Sequence, residues 1–394
     1  MSILNVNKIN PVGGGSTITI AGIASVTNNI SVGNSVTAGS FVGPIEGNVT
    51  GNVTGNADTA SGLSGNPSIN TTGIITATSF VGSTPLSHRN KVINGAMTVS
   101  QRGTSFASAS NDYHLDRFFH NGSNDGAVTI SQSTTSPDGF ANSYKVDVTT
   151  ADTSIAAAQY IQIYQRIEAQ NLQELAYGTS AAKTITVSFY VRSNLTGTYT
   201  FAMQQPDSAY KQMSQTYTID SANTWERKTF TIVGDTSGGI NNDNGDGLNL
   251  FWNLAIGSNY TTGSSSSSFI TYAATNFAAG HTANILSSTS NEFYLTGVQL
   301  EVGPVATPFE HRSIGEELSR CQRYFFNITG NTGSRSGIPG YANSTSSLRA
   351  MVQFPAPMRA IPSISGSSTA MILDSHDDSA SFNCSSLTAG GAPT

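Results

Sequence analysis

Glu168 and Glu174 stand on either side of a turn that follows the strand-like run Tyr160 to Glu168. Two carboxylates are the minimum equipment for glycoside hydrolysis, in which one protonates the leaving oxygen and the other attacks or activates water. Nearness along the chain does not set their separation across a cleft, and two surface carboxylates are the commoner meaning of such a pattern. The loop from Gly238 to Asn249 offers Asp243 and Asp246 among Asn side chains, hard oxygen ligands of the kind calcium takes. Laid on the EF-hand pattern, it puts Asn253 where the bidentate Glu belongs, and Asx-rich turns share this composition without any metal. His88, His114, His120, His281, His311 and His376 are scattered. His114, Asp116 and His120 are close in sequence, but strand alternation puts only some of them on one face. The chain has no Gly-x-Ser-x-Gly elbow, no Walker A loop and no His-Glu-x-x-His helix. Cys321 and Cys384 form no disulfide framework and no metal-ligand spacing. No catalytic residue, cofactor or metal is therefore expected, with calcium at Asp243 and Asp246 the weak exception.

These side chains sit in a chain of 394 residues of which only 11% are charged, less than half the roughly 25% of an ordinary soluble domain. Ser and Thr replace the missing charge, at about a quarter of the residues, with 39 Gly besides. That mixture favours strands and turns over long helices. A net charge of -6 leaves no basic surface to neutralise phosphates, so nucleic acid is excluded as an expected partner and an anionic membrane likewise. No apolar run is long enough to span a bilayer, and Met1 to Pro11 lacks the basic and apolar parts of a signal peptide.

Period-2 alternation recurs through the middle of the chain: Tyr144/Val146/Val148, Ile185/Val187/Phe189/Val191, Tyr199/Phe201/Met203 and Leu248/Leu250/Trp252/Leu254. Each run predicts a strand with one buried face. From Phe293 to Val302 the apolar phase shifts across Gly297, where a β-bulge would absorb the extra residue. Many strands without alternating helices predict an all-β antiparallel sandwich over 87–312, with a jelly roll as the leading topology. Ser313-Ile-Gly-Glu316 reads as a capping box, followed by a helical stripe of Ile314, Leu318, Cys321 and Phe325. Beyond the helix, Tyr324 to Ile328 and Leu348 to Phe354 read as strands of a small C-terminal β module, so 313–394 forms a third part. Ser385 to Thr394 are small and end without a closing apolar strand, and the natural chain is expected to continue.

Residues 1–86 differ from all of this. Up to Pro85 the charged side chains are Lys8, Glu46 and Asp58, and the aromatics are Phe41 and Phe80. Val36-Thr-Ala-Gly-Ser-Phe-Val-Gly43 recurs as Ile75-Thr-Ala-Thr-Ser-Phe-Val-Gly82, and Gly-Asn-Val-Thr appears at 47 and again at 51. Such repeats hold too few large apolar groups to form a monomeric core. An intertwined homotrimer, each chain supplying its neighbours' missing faces, is the expected solution.

The opening Ser2-Ile-Leu-Asn-Val-Asn-Lys-Ile-Asn-Pro11 and the Gly-Asn-Val-Thr repeats resemble tail-fibre-like virion structural proteins of cyanophages and other marine tailed phages. Asn90-Lys-Val-Ile-Asn-Gly-Ala-Met97, Gln101-Arg-Gly103 and Tyr113-x-x-Asp116-Arg-Phe118 are similar to the start of the carbohydrate-binding-module-like sandwich of such fibres. Leu295-Thr-Gly-Val-Gln-Leu-Glu-Val-Gly303, Ala306-Thr-Pro-Phe-Glu310 and Glu317-Leu-Ser-Arg-Cys-Gln-Arg-Tyr324 resemble its end. Phe354-Pro-Ala-Pro-Met-Arg-Ala360 is similar to the module that often follows. The resemblance implies a tail fibre in the virion, bound to other tail or baseplate proteins and to host cell-surface glycans. Host attachment would be multivalent and non-catalytic; a fibre-borne depolymerase and a purely architectural connector are the alternatives.

Arg102, Asp116, Arg117, Glu301, Glu310 and Arg312 all fall within these resembling segments. Ion pairs holding the sandwich ends together are the favoured reading, because buried charges demand partners; a glycan site is the other. Sugars offer hydroxyls and small apolar faces that suit exposed Tyr, with Tyr210, Tyr260 and Tyr272 as the candidates.

Overall fold

The computed structural model describes residues 88–107, 109, 111–327 and 352–363, together with the strand backbones at 340–344, 347–350, 372–374 and 381–383. The expected trimeric repeats of 1–86, and Cys384 and His376, lie outside the described residues.

Alternation produces the predicted sandwich. Strands are numbered β1 to β17 along the chain. One sheet has six antiparallel strands in the order β1 (Ser105–Phe106), β4 (Ala127–Ser133), β5 (Ser143–Thr150), β13 (Glu292–Val302), β7 (Ile185–Ser193) and β10 (Glu226–Ile232). The other has seven: β12 (Ser266–Ile270), β9 (Lys211–Ile219), β8 (Gly197–Gln205), β11 (Asp246–Ile256), β6 (Tyr160–Glu168), β3 (Phe118–Ser123) and β2 (Asp112–Leu115). The chain passes from one sheet to the other at β1–β2, β3–β4, β5–β6, β6–β7, β7–β8, β9–β10, β10–β11 and β12–β13, which gives the jelly-roll-like weave. Burying one face of each sheet against the other is what a period of two requires.

The core lies between the inner faces. Trp252 is fully buried, with its ring 5.4 Å from Phe201, 5.6 Å from Phe189 and 6.2 Å from Phe118. Val187 and Phe189 are buried beside it as their phase predicts. In β13 the register on β7 slips between Thr296 and Gln299, and Gly297 takes φ +60°. A Cβ there would meet Phe140 and Tyr190 at 2.8 Å, so both the left-handed backbone and the crowding call for glycine.

The two ends of the domain are fastened together. Gly95 lies so close to β13 that a Cβ would run into the Val298 carbonyl. Glu310 accepts from the backbone N–H groups of Arg89 (3.1 Å) and Asn90 (2.9 Å), and Glu317 accepts from that of Asn94 (2.8 Å). Arg312 pairs with Glu317 at 2.9 Å and Glu310 at 3.3 Å and donates to the Asn90 and Val92 carbonyls. The expected ion pairs therefore form at Glu310 and Arg312. Glu301 instead accepts from Thr307 and Gln299, and Arg102, Asp116 and Arg117 make no ion pair among the described residues.

The helix α1 (Ile314–Gln322) starts as predicted, with the Ser313 hydroxyl accepting from Glu316 N–H. Its buried face differs from the predicted stripe. Glu317 and Cys321 point inward while Ile314 stands exposed, because the helix docks on the Arg312 network rather than on an apolar groove. The helix ends at Gln322, so Phe325 is not on it, and Tyr324 to Asn327 form a turn and coil instead of the expected strand. Ser347–Ala350 (β15) pairs with Gly340–Ser344 (β14), whereas Val352 to Phe354 run on as coil toward Pro355. A second ladder joins Ile372–Asp374 (β16) to Ser381–Asn383 (β17).

Candidate functional site

The outer face of the seven-stranded sheet carries an aromatic row. Strand register sets Tyr113 opposite Phe119, Phe119 opposite Tyr164, and Tyr164 opposite Phe251. The ring centroids follow at 5.0, 4.9 and 5.1 Å. Each of these residues is out of phase with the buried side chains of its own strand, so alternation lifts all four to the outside.

Amides flank the row. Gln162 pairs in register with Asn253 on one side; Arg166, Asn249, Gln204 and Gln212 form a line on the other. The acceptor oxygens of Gln162, Asn249, Asn253 and Gln212 are buried and have no hydrogen-bond partner among the described residues. Buried acceptors of this kind are the ones an ordered internal water satisfies.

Half of the face is roofed. Phe277 stands edge-on to Phe251 at 5.1 Å, Ser214 donates to the Asn276 carbonyl at 2.6 Å and Gln212 to that of Ala273 at 2.7 Å. His281, beside the roof, contacts Thr200 at 3.2 Å, and burial holds its pKa down at about 4. Tyr113 and Phe119, at the far end, remain only half-buried. There the row opens into a cleft of about 110 Å³ lined by Arg102, Tyr113, Asp116, Arg117, Arg166, Glu168, Asp246, Tyr324, Phe325 and Arg359. The turn after α1 walls it: Arg102 lies over the Phe325 ring and Arg117 over the Tyr324 ring, each at 3.5 Å.

The carboxylates in this cleft are all held. Asp116 accepts from the Gln101 backbone N–H (2.6 Å) and Nε2 (2.7 Å). Asp246 pairs with Arg166 at 3.3 Å. Burial would raise the pKa of Glu168, but Arg323, at 3.0 Å, and Gln170, at 2.6 Å, outweigh it and leave the carboxyl below its ordinary range. Glu174, its partner in the carboxylate pair read from sequence, forms an ion pair with Lys91 and is not among the lining residues. Asp243 closes a turn onto Gly245 N–H at 2.8 Å, so it and Asp246 face separate partners. No group of three potential metal ligands occurs among the described residues. His114 and His120 come together, rings 6.1 Å apart, while Asp116 turns to Gln101.

Of the predicted tyrosines, Tyr260 packs edge-on against Tyr160 at 6.1 Å. Tyr210 is 56% and Tyr272 44% exposed, and neither belongs to the stacked row. Sequence reasoning missed the row because its members lie on four strands. The signal was present: Tyr164 and Phe251 are aromatics set between the apolar residues of their own alternating runs.

No protein-family model matches the chain, and no curated protein does either. Among solved structures the chain is similar to the enzymatically active domain of bacteriophage CBA120 tailspike protein 4, at 11% identity and TM-score 0.29. The match covers 54% of this chain and spans 21% of that one. It is also similar to the C-terminal family 22 carbohydrate binding module of Clostridium thermocellum Xyn10B (13% identity, 52% and 98% covered, TM-score 0.27). A third is the CBM22-1 xylan-binding domain of Paenibacillus barcinonensis Xyn10C (9% identity, 51% and 94% covered, TM-score 0.23). At these TM-scores the likeness carries neither fold nor function to this chain; the all-β sandwich is established by its own strand pairing.

Proposed function

We propose that this chain is a virion tail-fibre protein that attaches to host cell-surface glycans through the open end of the aromatic row. The observation that carries the reading is Tyr113 and Phe119, half-buried and 5.0 Å apart, at the end of the row that opens into the cleft. Aromatic faces suit the apolar side of a sugar ring, and the polar side chains of the adjoining cleft suit its hydroxyls. The placing in a fibre rests on the sequence resemblance and on the nearly uncharged repeats of 1–86, whose apolar side chains call for partner chains. In a parallel homotrimer on one particle, weak sites add up, since tethered copies raise avidity by about 10²–10⁴ where geometry permits.

A binding role is favoured over a cutting one because each cleft carboxylate is engaged, Asp116 by Gln101, Glu168 by Arg323 and Gln170, and Asp246 by the Arg166 charge. A general acid must stay protonated near neutral pH, and Glu168 is held the opposite way. The test uses the full chain. Light scattering should give three copies, and host envelope material should retain the protein without release of reducing sugar. Tyr113→Ala and Phe119→Ala should each lower retention. Sugar release that a carboxylate substitution abolishes would make it a depolymerase, and a monomer would remove the valency argument.

A further inference from the structure

The cleft holds more positive charge than its acids consume. Asp116, Glu168 and Asp246 are satisfied by Gln101, by Arg323 with Gln170, and by Arg166. Arg359 is spent on the Asn244 carbonyl, and Arg117, buried, donates to the Arg166 carbonyl. Arg102 remains. Its guanidinium lies over Phe325, half-buried, within the field of Asp116 and Asp112 but with neither a hydrogen bond nor an ion pair among the described residues. Stacking fixes the plane of the fork while leaving its N–H edge free, and a planar two-oxygen anion is what that edge fits. Four arginines line the cleft and Arg323 binds Glu168 beside it, against three carboxylates, in a chain whose net charge is -6.

We propose that the cleft takes the carboxylate of an acidic sugar, gripped by the Arg102 fork, while the ring bearing it lies against Tyr113. This deepens the glycan reading and rests on it. A volume of about 110 Å³ is too small for an oligosaccharide but admits one carboxylate and the edge of its ring. The rest of the chain would then run along Phe119, so that the open end of the row supplies contact and the cleft selects for charge.

The experiment compares polygalacturonate, alginate and hyaluronate with the methyl ester of each, which keeps the backbone and removes the charge. A neutral glucan and a neutral galactan complete the panel, and binding is read by affinity electrophoresis of the full-length protein. At least one acid form should bind about tenfold or more tightly than its ester, the equivalent of roughly 1.4 kcal/mol. Arg102→Gln should erase that preference without weakening ester binding, and Arg102→Lys, which keeps the charge but not the fork, should retain only part of it. Tyr113→Ala should weaken both forms. Equal binding of acid and ester, a preference that survives Arg102→Gln in protein of unchanged melting temperature, or binding confined to neutral glycans overturns the carboxylate assignment and leaves the glycan reading standing. Failure of every acidic, esterified and neutral polysaccharide to bind removes the glycan reading and this inference with it.

Discussion

Taken together, β11 and β6 put aromatic residues on both faces of their sheet, yet the two faces do different work. On the inner face Trp252 meets Phe189, Phe201 and Phe118 with aliphatic strands on every side. On the outer face Tyr164 and Phe251 meet rings of neighbouring strands but have amides above and below them. Both faces leave polar atoms unpaired: inside, Trp252 Nε1 and the Tyr144 and Tyr217 hydroxyls; outside, four side-chain amide oxygens. Inside, they are scattered singly among apolar side chains, the Gln165 amide oxygen with them. Outside, they stand in registered lines. Aromatic content alone therefore does not separate a core from a binding face; the neighbours across the strands do.

The largest expected effect tests that contrast directly. Trp252→Ala should cost about 3–5 kcal/mol in denaturant melts, the range for a large aromatic removed from a close-packed core, whereas Phe119→Ala on the outer face should cost about 1 kcal/mol. Equal losses would break the distinction between the faces.

Acid should act on both sides of the sheet. His120 and His281 are held neutral by burial, with pKa lowered from 6.5 to about 4. Between those values the unfolded chain binds protons that the folded one refuses, so their contribution is complete above pH 6.5 and is lost as the pH falls toward 4. Each shift corresponds to roughly 3 kcal/mol. The cleft carboxylate Glu168 and the clasp carboxylate Glu310 are held below their ordinary range. Their stabilisation is therefore lost at lower pH still, so melts between pH 6.5 and 4.5 report the histidines. A double variant, His120→Gln with His281→Gln, should flatten that part of the curve.

Gly297→Ala sharpens the comparison on the other sheet, where Phe140, Tyr190, Phe309 and His311 also cluster on the outside, at 4.9–5.4 Å. A methyl group would strain the φ +60° backbone and push Phe140 and Tyr190 apart, for a loss of about 1–3 kcal/mol. That cluster reads as packing under a strap; a glycan-binding defect in this variant, beyond its loss of stability, would make it a second site. The smallest effect is expected on the outer side of α1. Arg320→Ala removes an exposed i,i+4 pair with Glu316, worth about 0.3–0.5 kcal/mol.

Much of this was legible from the chain alone. The phase of Leu248, Leu250, Trp252 and Leu254, the bulge at Gly297 and the Ser313 cap are local patterns, set by the two-residue period of a strand and by the bonding needs of a helix end. The sandwich follows, because such strands have one face to bury. The tertiary structure decided the rest. Tyr113, Phe119, Tyr164 and Phe251 come into line only through the register of four strands, and register depends on which strands pair and at what offset. Arg102 and Phe325 meet across the whole domain, because α1 docks through Glu317 on the Arg312 network rather than through its apolar stripe. A period along the chain says which side of a strand faces in; it holds no information about what stands opposite, and the site is made of residues that stand opposite one another.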